Sequence, residues 1–328
     1  MTLEKPLVGS GFSVRISETA RRSVVFFGAP SPNAAIEYGG TGFMVLFREG
    51  NGTSSCYLVT AAHVARRIDP GSDVMLRVNR KGGGSDPFML HDVVWSIHSD
   101  KNVDIAATPG YIDPAIWDLA YLNLNDAVKR DAYEFRVQHG DPISIVGLFR
   151  LHSGSNKNTP IVHSGNIALM PDPEEKIPVQ DRATGGRLEM EAYLVEAQTL
   201  DGLSGAPVFQ REIVQLSHFP EHNGGKPIVA TGAQLLGVYS GAWEGEPDKT
   251  LAENRGLKPN RRVPVSMGIV VPIERLVELI MTDEKLIEHR KIRRERDATE
   301  KRAAEAVTDT AFKRDAGDLP SSDANPEH

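Results

Sequence analysis

The chain has 328 residues, 40% hydrophobic and 25% charged, which is the composition of an ordinary globular protein. Its formal net charge of −7 argues against nucleic acid or an anionic membrane as a partner. Cys56 is the one cysteine, so an intrachain disulfide is excluded and a reducing compartment is favoured. Because the sequence shows neither a signal peptide nor an apolar run of membrane-spanning length, we expect a soluble, cytoplasmic protein.

Short runs rich in Val, Ile and Phe, bounded by Gly or Pro, predict β-strands along most of the chain. In the first half they cover residues 12–16, 23–27, 41–47, 55–60, 73–78 and 91–97. In the second half they cover residues 142–149, 159–170, 192–197, 206–209, 232–241 and 266–271. The glycines of Gly39–Gly42 are interpreted as a hairpin turn, because no Gly-Lys-Ser/Thr follows as a phosphate loop requires.

The hydrophobic period changes after Pro272, a residue that suits a helix start. One apolar stripe then predicts a helix that docks on the second β half, through Ile273, Leu276, Leu279, Ile280, Leu286 and Ile287. The basic residues 289–296 mix with acidic ones, so we interpret them as a solvated helical extension, which could recruit a protein partner. The polar residues 311–328 predict a disordered tail.

A pair of histidines, His218 and His222, fits the spacing of a zinc site with Glu221. Such a site needs both histidines on one helix face, and Pro220 between them breaks a helix. We therefore predict a surface loop there, and the sequence predicts neither a metal site nor a cofactor.

Residues 202–205, Gly-Leu-Ser-Gly, hold a candidate nucleophile in Ser204. A serine hydroxyl needs a base to take its proton and donors that stabilise the resulting oxyanion. Gly202 can adopt the backbone conformation that aims its N–H at the same point as the Ser204 N–H. Gly205 is expected to leave room for a bound acyl group.

A candidate base is His63, which follows a strand within Ala61-Ala-His63. A candidate acid is Asp104, whose apolar neighbours make its burial costly unless a donor such as an imidazole N–H binds it. Asp118 lies in nearly the same local pattern, so it is a second candidate for that role.

The order His63, Asp104, Ser204 resembles that of the chymotrypsin-like (trypsin-like) serine peptidases, especially the disulfide-free bacterial domains. The resemblance covers residues 10–285. It rests on residues 58–63 (Leu-Val-Thr-Ala-Ala-His), 103–106 (Val-Asp-Ile-Ala), 202–205, 236–241 (Leu-Gly-Val-Tyr-Ser-Gly) and 267–272 (Met-Gly-Ile-Val-Val-Pro).

The resemblance implies an all-β fold of two packed six-stranded antiparallel β-barrels with a C-terminal α-helix. Its parts would be a barrel over 10–130, a barrel over 131–272, and a helix with a charged extension over 273–310.

The resemblance also implies the chemistry. His63 is the expected general base, Asp104 its orienting acid and Ser204 the nucleophile, with the N–H groups of Gly202 and Ser204 as the oxyanion hole. Asp104 is preferred to Asp118 because its spacing from His63 is closer to the family's, while Asp118 stays a live alternative.

Two departures from the family bear on specificity. Leu203 stands where digestive members carry an acid that pairs with a new N-terminus, so activation by that route is not implied. Gln198 stands where trypsin-type members carry an acid, so we expect a small or neutral residue at the cleavage site. The resemblance places the substrate cleft at Gln198, Ser240 and Gly241.

Two functions follow from these observations. The first is a serine endopeptidase that acts on a protein or peptide. The second is an inactive module of the same fold that binds peptides or partner proteins.

Overall fold

The computed structural model describes residues 16–30, 36–127, 137–181, 185–198, 200–216, 228–245 and 263–317. The predicted strand at 12–16 lies almost entirely outside these residues, and the His218–His222 segment lies wholly outside them.

The first half forms one sheet, preceded by the short helix α1 (Glu18–Arg22). Its described strands pair in the order β5-β4-β1-β2-β3-β7-β6, and β8 pairs with β2. We predicted a closed six-stranded barrel here; the described residues instead form an open eight-stranded sheet. The bounds are β1 (Val24–Pro30), β2 (Ile36–Arg48), β3 (Ser54–Thr60), β4 (Ser72–Asn79), β5 (Ser85–Val93), β6 (Ser96–Ile97), β7 (Ala106–Pro109) and β8 (Leu122–Asn123).

The second half forms a closed antiparallel barrel in the order β10-β13-β16-β15-β14-β9, which confirms the six-stranded prediction. A separate hairpin, β11 with β12, is inserted between β10 and β13 and was not predicted. The bounds are β9 (Pro142–Gly147), β10 (Ile161–Leu169), β11 (Ile177–Gln180), β12 (Arg187–Met190), β13 (Tyr193–Glu196), β14 (Pro207–Leu216), β15 (Ile228–Gly245) and β16 (Val263–Pro272).

The expectation of a hairpin turn at Gly39–Gly42 is wrong, because these residues lie inside β2. Gly42 serves close packing there, because a Cβ at this position would lie 2.9 Å from the Phe27 ring and 3.0 Å from Leu58. A strand whose neighbours approach this closely tolerates glycine where an isolated strand would disfavour it.

The C-terminal stripe forms two helices, α3 (Ile273–Thr282) and α4 (Glu284–Gly317), rather than one. Asp283 has extended backbone angles between them, and its Oδ1 accepts hydrogen bonds from the Leu286 N–H and from the Ser96 hydroxyl. The helices therefore contact both halves and not only the second one as predicted. Residues 311–317, predicted as disordered, are the end of α4, where Ala, Lys and Arg favour helix.

None of the described helices is long and apolar enough to cross a membrane. The role of the C-terminal helix as a partner-binding element stays a prediction, as does the cytoplasmic location.

Arg290 links α4 to the first half through a buried ion pair. Its side chain is 4% exposed; Nη1 donates to the Ile280 carbonyl at 2.5 Å, and Nε lies 3.3 Å from Glu49 Oε1. Removing one partner of a buried charge pair leaves the other without compensation, which is strongly destabilising.

We therefore expect Arg290→Met to lower the free energy of unfolding by about 3 kcal/mol, measured by urea denaturation. Arg296→Met is the matched control, because Arg296 is 57% exposed in its pair with Glu300 and should change stability by less than about 1 kcal/mol. Equal, small effects of the two substitutions would contradict the assignment of Arg290 as an anchor.

Candidate active site

His63 lies in the short helix α2 (Ala62–Ala65), directly after β3. The fully buried Ala61 and Ala62 let this turn pack tightly against the first half. His63 Nδ1 lies 2.7 Å from Asp104 Oδ2, and the His63 backbone N–H donates to Asp104 Oδ1 at 2.8 Å. Both carboxylate oxygens of Asp104 thus bind His63, and these two hydrogen bonds fix the orientation of the His63 ring.

Ser240, within β15, is a further partner of Asp104. Its hydroxyl donates to Asp104 Oδ2 at 2.5 Å. Burial alone would raise the pKa of the Asp104 carboxyl, but the hydrogen bond and charge of His63 and the hydrogen bond from Ser240 hold that pKa below its usual value. Asp104 is therefore ionised at neutral pH and favours a proton on His63 Nδ1.

Asp118, the alternative acid, lies elsewhere. Its Oδ1 is 2.6 Å from Arg22 Nε, and its backbone N–H donates to the Asn79 carbonyl at 2.8 Å. The structure thus brings Asp104, and not Asp118, to His63.

The loop carrying Ser204 is seated on β2 of the first half through Thr41. The Thr41 N–H donates to the Ser204 carbonyl at 3.1 Å, and its hydroxyl donates to the Gly202 carbonyl at 2.7 Å. The same hydroxyl accepts the Leu148 N–H at 2.9 Å. A buried threonine of one half therefore positions the candidate nucleophile of the other.

Gly205 lies tightly against the first half. Its φ is +87°, and a Cβ there would lie 2.2 Å from the Thr41 carbonyl oxygen and 2.2 Å from Thr60 Oγ1. The expectation that Gly205 leaves room for an acyl group is wrong, because its missing side chain accommodates the backbone of β2 instead.

Gly202 also has a positive φ of +101°. A Cβ at this position would lie 3.0 Å from the Leu148 carbonyl oxygen, so glycine is required for space as well as for conformation. Neither the Gly202 N–H nor the Ser204 N–H donates a hydrogen bond to any residue that the structure describes.

The Ser204 hydroxyl donates to the Ser240 carbonyl at 3.2 Å. Ser240 therefore contacts Ser204 through its backbone carbonyl and Asp104 through its hydroxyl.

A cavity of about 90 Å³ opens beside His63 and Asp104. Of the predicted cleft residues, Ser240 and Gly241 line it. Gln198 is exposed and does not line this cavity, so its place in the cleft stays a prediction.

Two functional features escaped the sequence analysis. The sequence places Thr41 where a predicted turn and the predicted strand 41–47 overlap, and nothing local reveals its partner 161 residues away. The β11–β12 hairpin, which lines the cavity, has a visible signal in Gly185-Gly186 between the short runs 177–180 and 187–190. Among the described residues, no group of three His, Cys, Asp or Glu side chains could hold a metal ion.

An antiparallel six-stranded barrel packed against a second β-sheet, followed by C-terminal helices, is a chymotrypsin-like fold. A search of solved structures finds the active form of the Rv3671c protease from M. tuberculosis, at 16% identity and a TM-score of 0.43. The match covers 81% of this chain and 82% of that one. No protein-family model and no curated protein sequence matches the chain.

We expect Gly205→Ala to cost clearly more stability than Gly52→Ala. Gly52 has nearly the same φ, +88°, but no atom lies within 4 Å of the point that a Cβ would occupy. Alanine at Gly52 should therefore cost only the strain of the positive φ, about 1 kcal/mol of folding stability. At Gly205 the overlap with Thr41 and Thr60 comes in addition, and we expect a loss at least about 2 kcal/mol larger. Urea denaturation checks this, and similar losses at both sites would contradict the close approach.

The lowered pKa of Asp104 predicts a pH-dependent contribution to stability. A carboxyl whose folded pKa lies below its unfolded value of about 3.9 stabilises the fold above that value, and the contribution disappears as pH falls through the folded pKa. The difference in free energy of unfolding between wild type and Asp104→Asn should therefore be full at pH 5–7 and shrink below about pH 4.

Urea denaturation across this pH range measures the difference, with Asp118→Asn as control. The Asp118–Arg22 pair is partly exposed, so its removal should cost less than about 1 kcal/mol. A difference for Asp104→Asn that stays constant down to pH 3 would refute the lowered pKa.

Proposed function

We propose that the chain is a serine endopeptidase that cleaves peptide bonds through an acyl-enzyme intermediate. The observation that carries the proposal is the buried pair of His63 and Asp104, together with Ser240, whose hydroxyl binds Asp104 and whose backbone carbonyl binds the Ser204 hydroxyl. A largely buried acid, a histidine oriented by it and a serine on a glycine-bounded loop are the three parts that nucleophilic acyl transfer needs.

In the proposed reaction, Ser204 Oγ attacks the scissile carbonyl carbon while His63 Nε2 takes the hydroxyl proton. The N–H groups of Gly202 and Ser204 bind the oxyanion, which would be worth roughly a hundred- to a thousand-fold in turnover per donor. His63 then gives the proton to the leaving amine, and the acyl-enzyme remains. Water, deprotonated by the same histidine, releases the acid product and restores Ser204.

Asp104 stays ionised throughout and acts on the ring of His63. It binds the Nδ1 side, so Nε2 is left as the acceptor for the serine proton. Its low pKa suits this role, because a protonated carboxyl would neither select that tautomer nor stabilise the imidazolium.

The open edge of β15 supports a peptide as substrate. β14 pairs with β15 only as far as Val238, whereas β16 continues to pair from Tyr239 to Gly245. Tyr239 still bonds through its backbone to Gly205 and Ala206. Beyond it, Ser240, Gly241 and Ala242 line the cavity beside His63 on an edge of β15 that β14 does not cover. An extended peptide can add to such an edge through main-chain hydrogen bonds.

A second candidate is a peptide-binding module that does not turn over. The contact that favours this candidate is the hydrogen bond from the Ser204 hydroxyl to the Ser240 carbonyl. While the hydroxyl donates its proton to that carbonyl, it does not donate it to His63. Catalysis requires the hydroxyl to leave the Ser240 carbonyl and rotate toward His63 Nε2.

The two candidates differ in the reactivity of Ser204 toward a fluorophosphonate probe, read by intact mass. The peptidase predicts one adduct on wild type and none on Ser204→Ala. Asp104→Asn should react about ten-thousand-fold more slowly, as loss of the orienting charge does in this type of triad. Asp118→Asn should react at the wild-type rate.

Circular dichroism and the urea midpoint establish that each variant is folded. Absence of an adduct on folded wild type would reject the peptidase and favour the binding module. Slow labelling of Asp118→Asn, with normal labelling of Asp104→Asn, would reject the assignment of Asp104.

A further inference from the structure

The segment that carries Asp104 leaves the sheet at the end of β6 and returns to it at the start of β7, so the residues between these strands form a loop. At the base of this loop the His98 N–H donates to the Ile105 carbonyl at 3.2 Å. Within it, the Val103 N–H donates to the Asp100 carbonyl at 3.0 Å. Asp104 is therefore held by the bonds of a loop rather than by pairing within the sheet.

The imidazole of His98 is part of this loop. Its side chain is 3% exposed, and its Nδ1 accepts the Asp100 N–H at 3.1 Å. Since a ring nitrogen that accepts a hydrogen bond carries no proton, the proton of the neutral ring lies on Nε2. Among the described residues Nε2 has no hydrogen-bonded acceptor, and the carboxylate that it faces is Glu278 of α3, whose Oε2 lies 3.5 Å away.

Glu278 is fixed in place on α3 by Arg275. Nη1 of Arg275 donates to Glu278 Oε2 at 2.8 Å, and Nη2 donates to Glu191 Oε2 at 2.7 Å. The hydrogen bond from Arg275 is the main reason why the pKa of the Glu278 carboxyl lies below its usual value. Glu278 is therefore ionised at neutral pH, and its charge lies beside the Nε2–H of His98.

A second contact joins the same part of the chain to the end of α3. The hydroxyl of Ser96, in β6, donates to Asp283 Oδ1 at 2.7 Å. Asp283 follows α3 directly. The strand that leads into the loop and the first residue of the loop are thus both in contact with the α3 region.

We propose that His98 and Glu278 are positioning residues, which hold this loop in the conformation that brings the Asp104 carboxylate to His63. The helix α3 would then control the efficiency of the triad from outside the active site. This inference rests on the proposed peptidase function. Neither His98 nor Glu278 lines the cavity beside His63, so both act through Asp104 and not on a substrate.

The contact between Asp104 and His63 leaves little room for movement of the loop. Asp104 binds His63 through both carboxylate oxygens, at 2.7 Å from Nδ1 and 2.8 Å from the backbone nitrogen. A displacement of about 1 Å in a catalytic group can lower a rate roughly a hundred-fold. Loss of the contact with α3 should therefore slow the reaction of Ser204 while the protein stays folded.

The test measures the rate at which a fluorophosphonate labels Ser204. His98→Asn retains an oxygen in place of Nδ1, so the bond from Asp100 can persist, but the shorter side chain loses the contact with Glu278. Glu278→Ala removes the same contact from the other side. We expect each substitution to slow labelling about ten- to hundred-fold. The double variant should be no slower than the slower single variant, because both substitutions remove one contact.

Two further variants separate this role from a general effect on the fold. Glu278→Gln keeps an oxygen that can accept the Nε2–H of His98, so its labelling rate should stay within about three-fold of wild type. His91→Asn is the matched control, because His91 and Asp73 form a histidine–carboxylate pair of the same half whose side chains are 69% and 48% exposed. It should label at the wild-type rate.

Proton NMR reads the contact between His63 and Asp104 without any turnover. The proton on His63 Nδ1 gives a far-downfield resonance, which is assigned by its absence from His63→Ala. In His98→Asn and Glu278→Ala this proton should exchange with water at least about ten-fold faster than in wild type, because the loop opens more often. In His91→Asn the exchange rate should be that of wild type.

Circular dichroism and the urea midpoint establish that each variant is folded, and if one of the two test variants does not fold, the other tests the same contact. Wild-type labelling and exchange in the folded variants overturn the inference, and so do additive effects of the two substitutions or equal slowing by His91→Asn. Absence of labelling on folded wild type rejects the proposed function. The exchange rate of the His63 proton then still decides whether α3 holds the acid.

Discussion

The candidate site depends on the contact between Gly205 and the backbone of β2. The glycine lets the Ser204 loop approach the Thr41 carbonyl and Thr60 more closely than any side chain would allow. Thr41 then binds both the Ser204 carbonyl and the Gly202 carbonyl. Since Thr60 ends the strand that leads to His63, this one interface sets the distance between the proposed base and the proposed nucleophile.

Asp104, the proposed acid, is also hydrogen-bonded by a residue of the other half. Asp104 belongs to the first half, but its Oδ2 accepts the hydroxyl of Ser240 from the second. The segment before it is tied to the C-terminal helices, where His98 Nε2 lies 3.5 Å from Glu278 Oε2 and Ser96 bonds to Asp283. The helices that follow the barrel thus close the interface on the side of the acid.

The β11–β12 hairpin is an addition to the barrel and the sheet. The barrel and the sheet position His63, Asp104 and Ser204, whereas the hairpin supplies part of the wall of the cavity beside His63 and Asp104. A scaffold that is rigid at its chemistry and variable at an insertion can change specificity without moving the reacting atoms.

Local sequence pattern was sufficient to predict an element where the residues of a short segment indicate its structure by themselves. Alternating and β-branched runs predicted most barrel strands, and Pro272 with its apolar stripe predicted the start of α3. The same logic failed at Gly39–Gly42, where three glycines in four residues are typical of a turn but tight packing of Gly42 against Phe27 and Leu58 accompanies a strand. It also missed the break at Asp283, whose carboxylate is held by Ser96, 187 residues earlier in the chain.

By itself the sequence determined the candidate chemistry: a serine bounded by glycines, a histidine after a strand and an aspartate among apolar residues, because each depends on residue type and near neighbours. Local pattern alone left Asp104 and Asp118 as alternatives, and only the spacing from His63 in the family that the chain resembles favoured Asp104. In the structure, His63 lies beside Asp104 and Arg22 lies beside Asp118. Tertiary structure brought Asp104 to His63, held the Ser204 loop against Thr41 and placed the inserted hairpin beside the cavity. All three arise from contacts between segments far apart in the chain, and such contacts leave no local pattern.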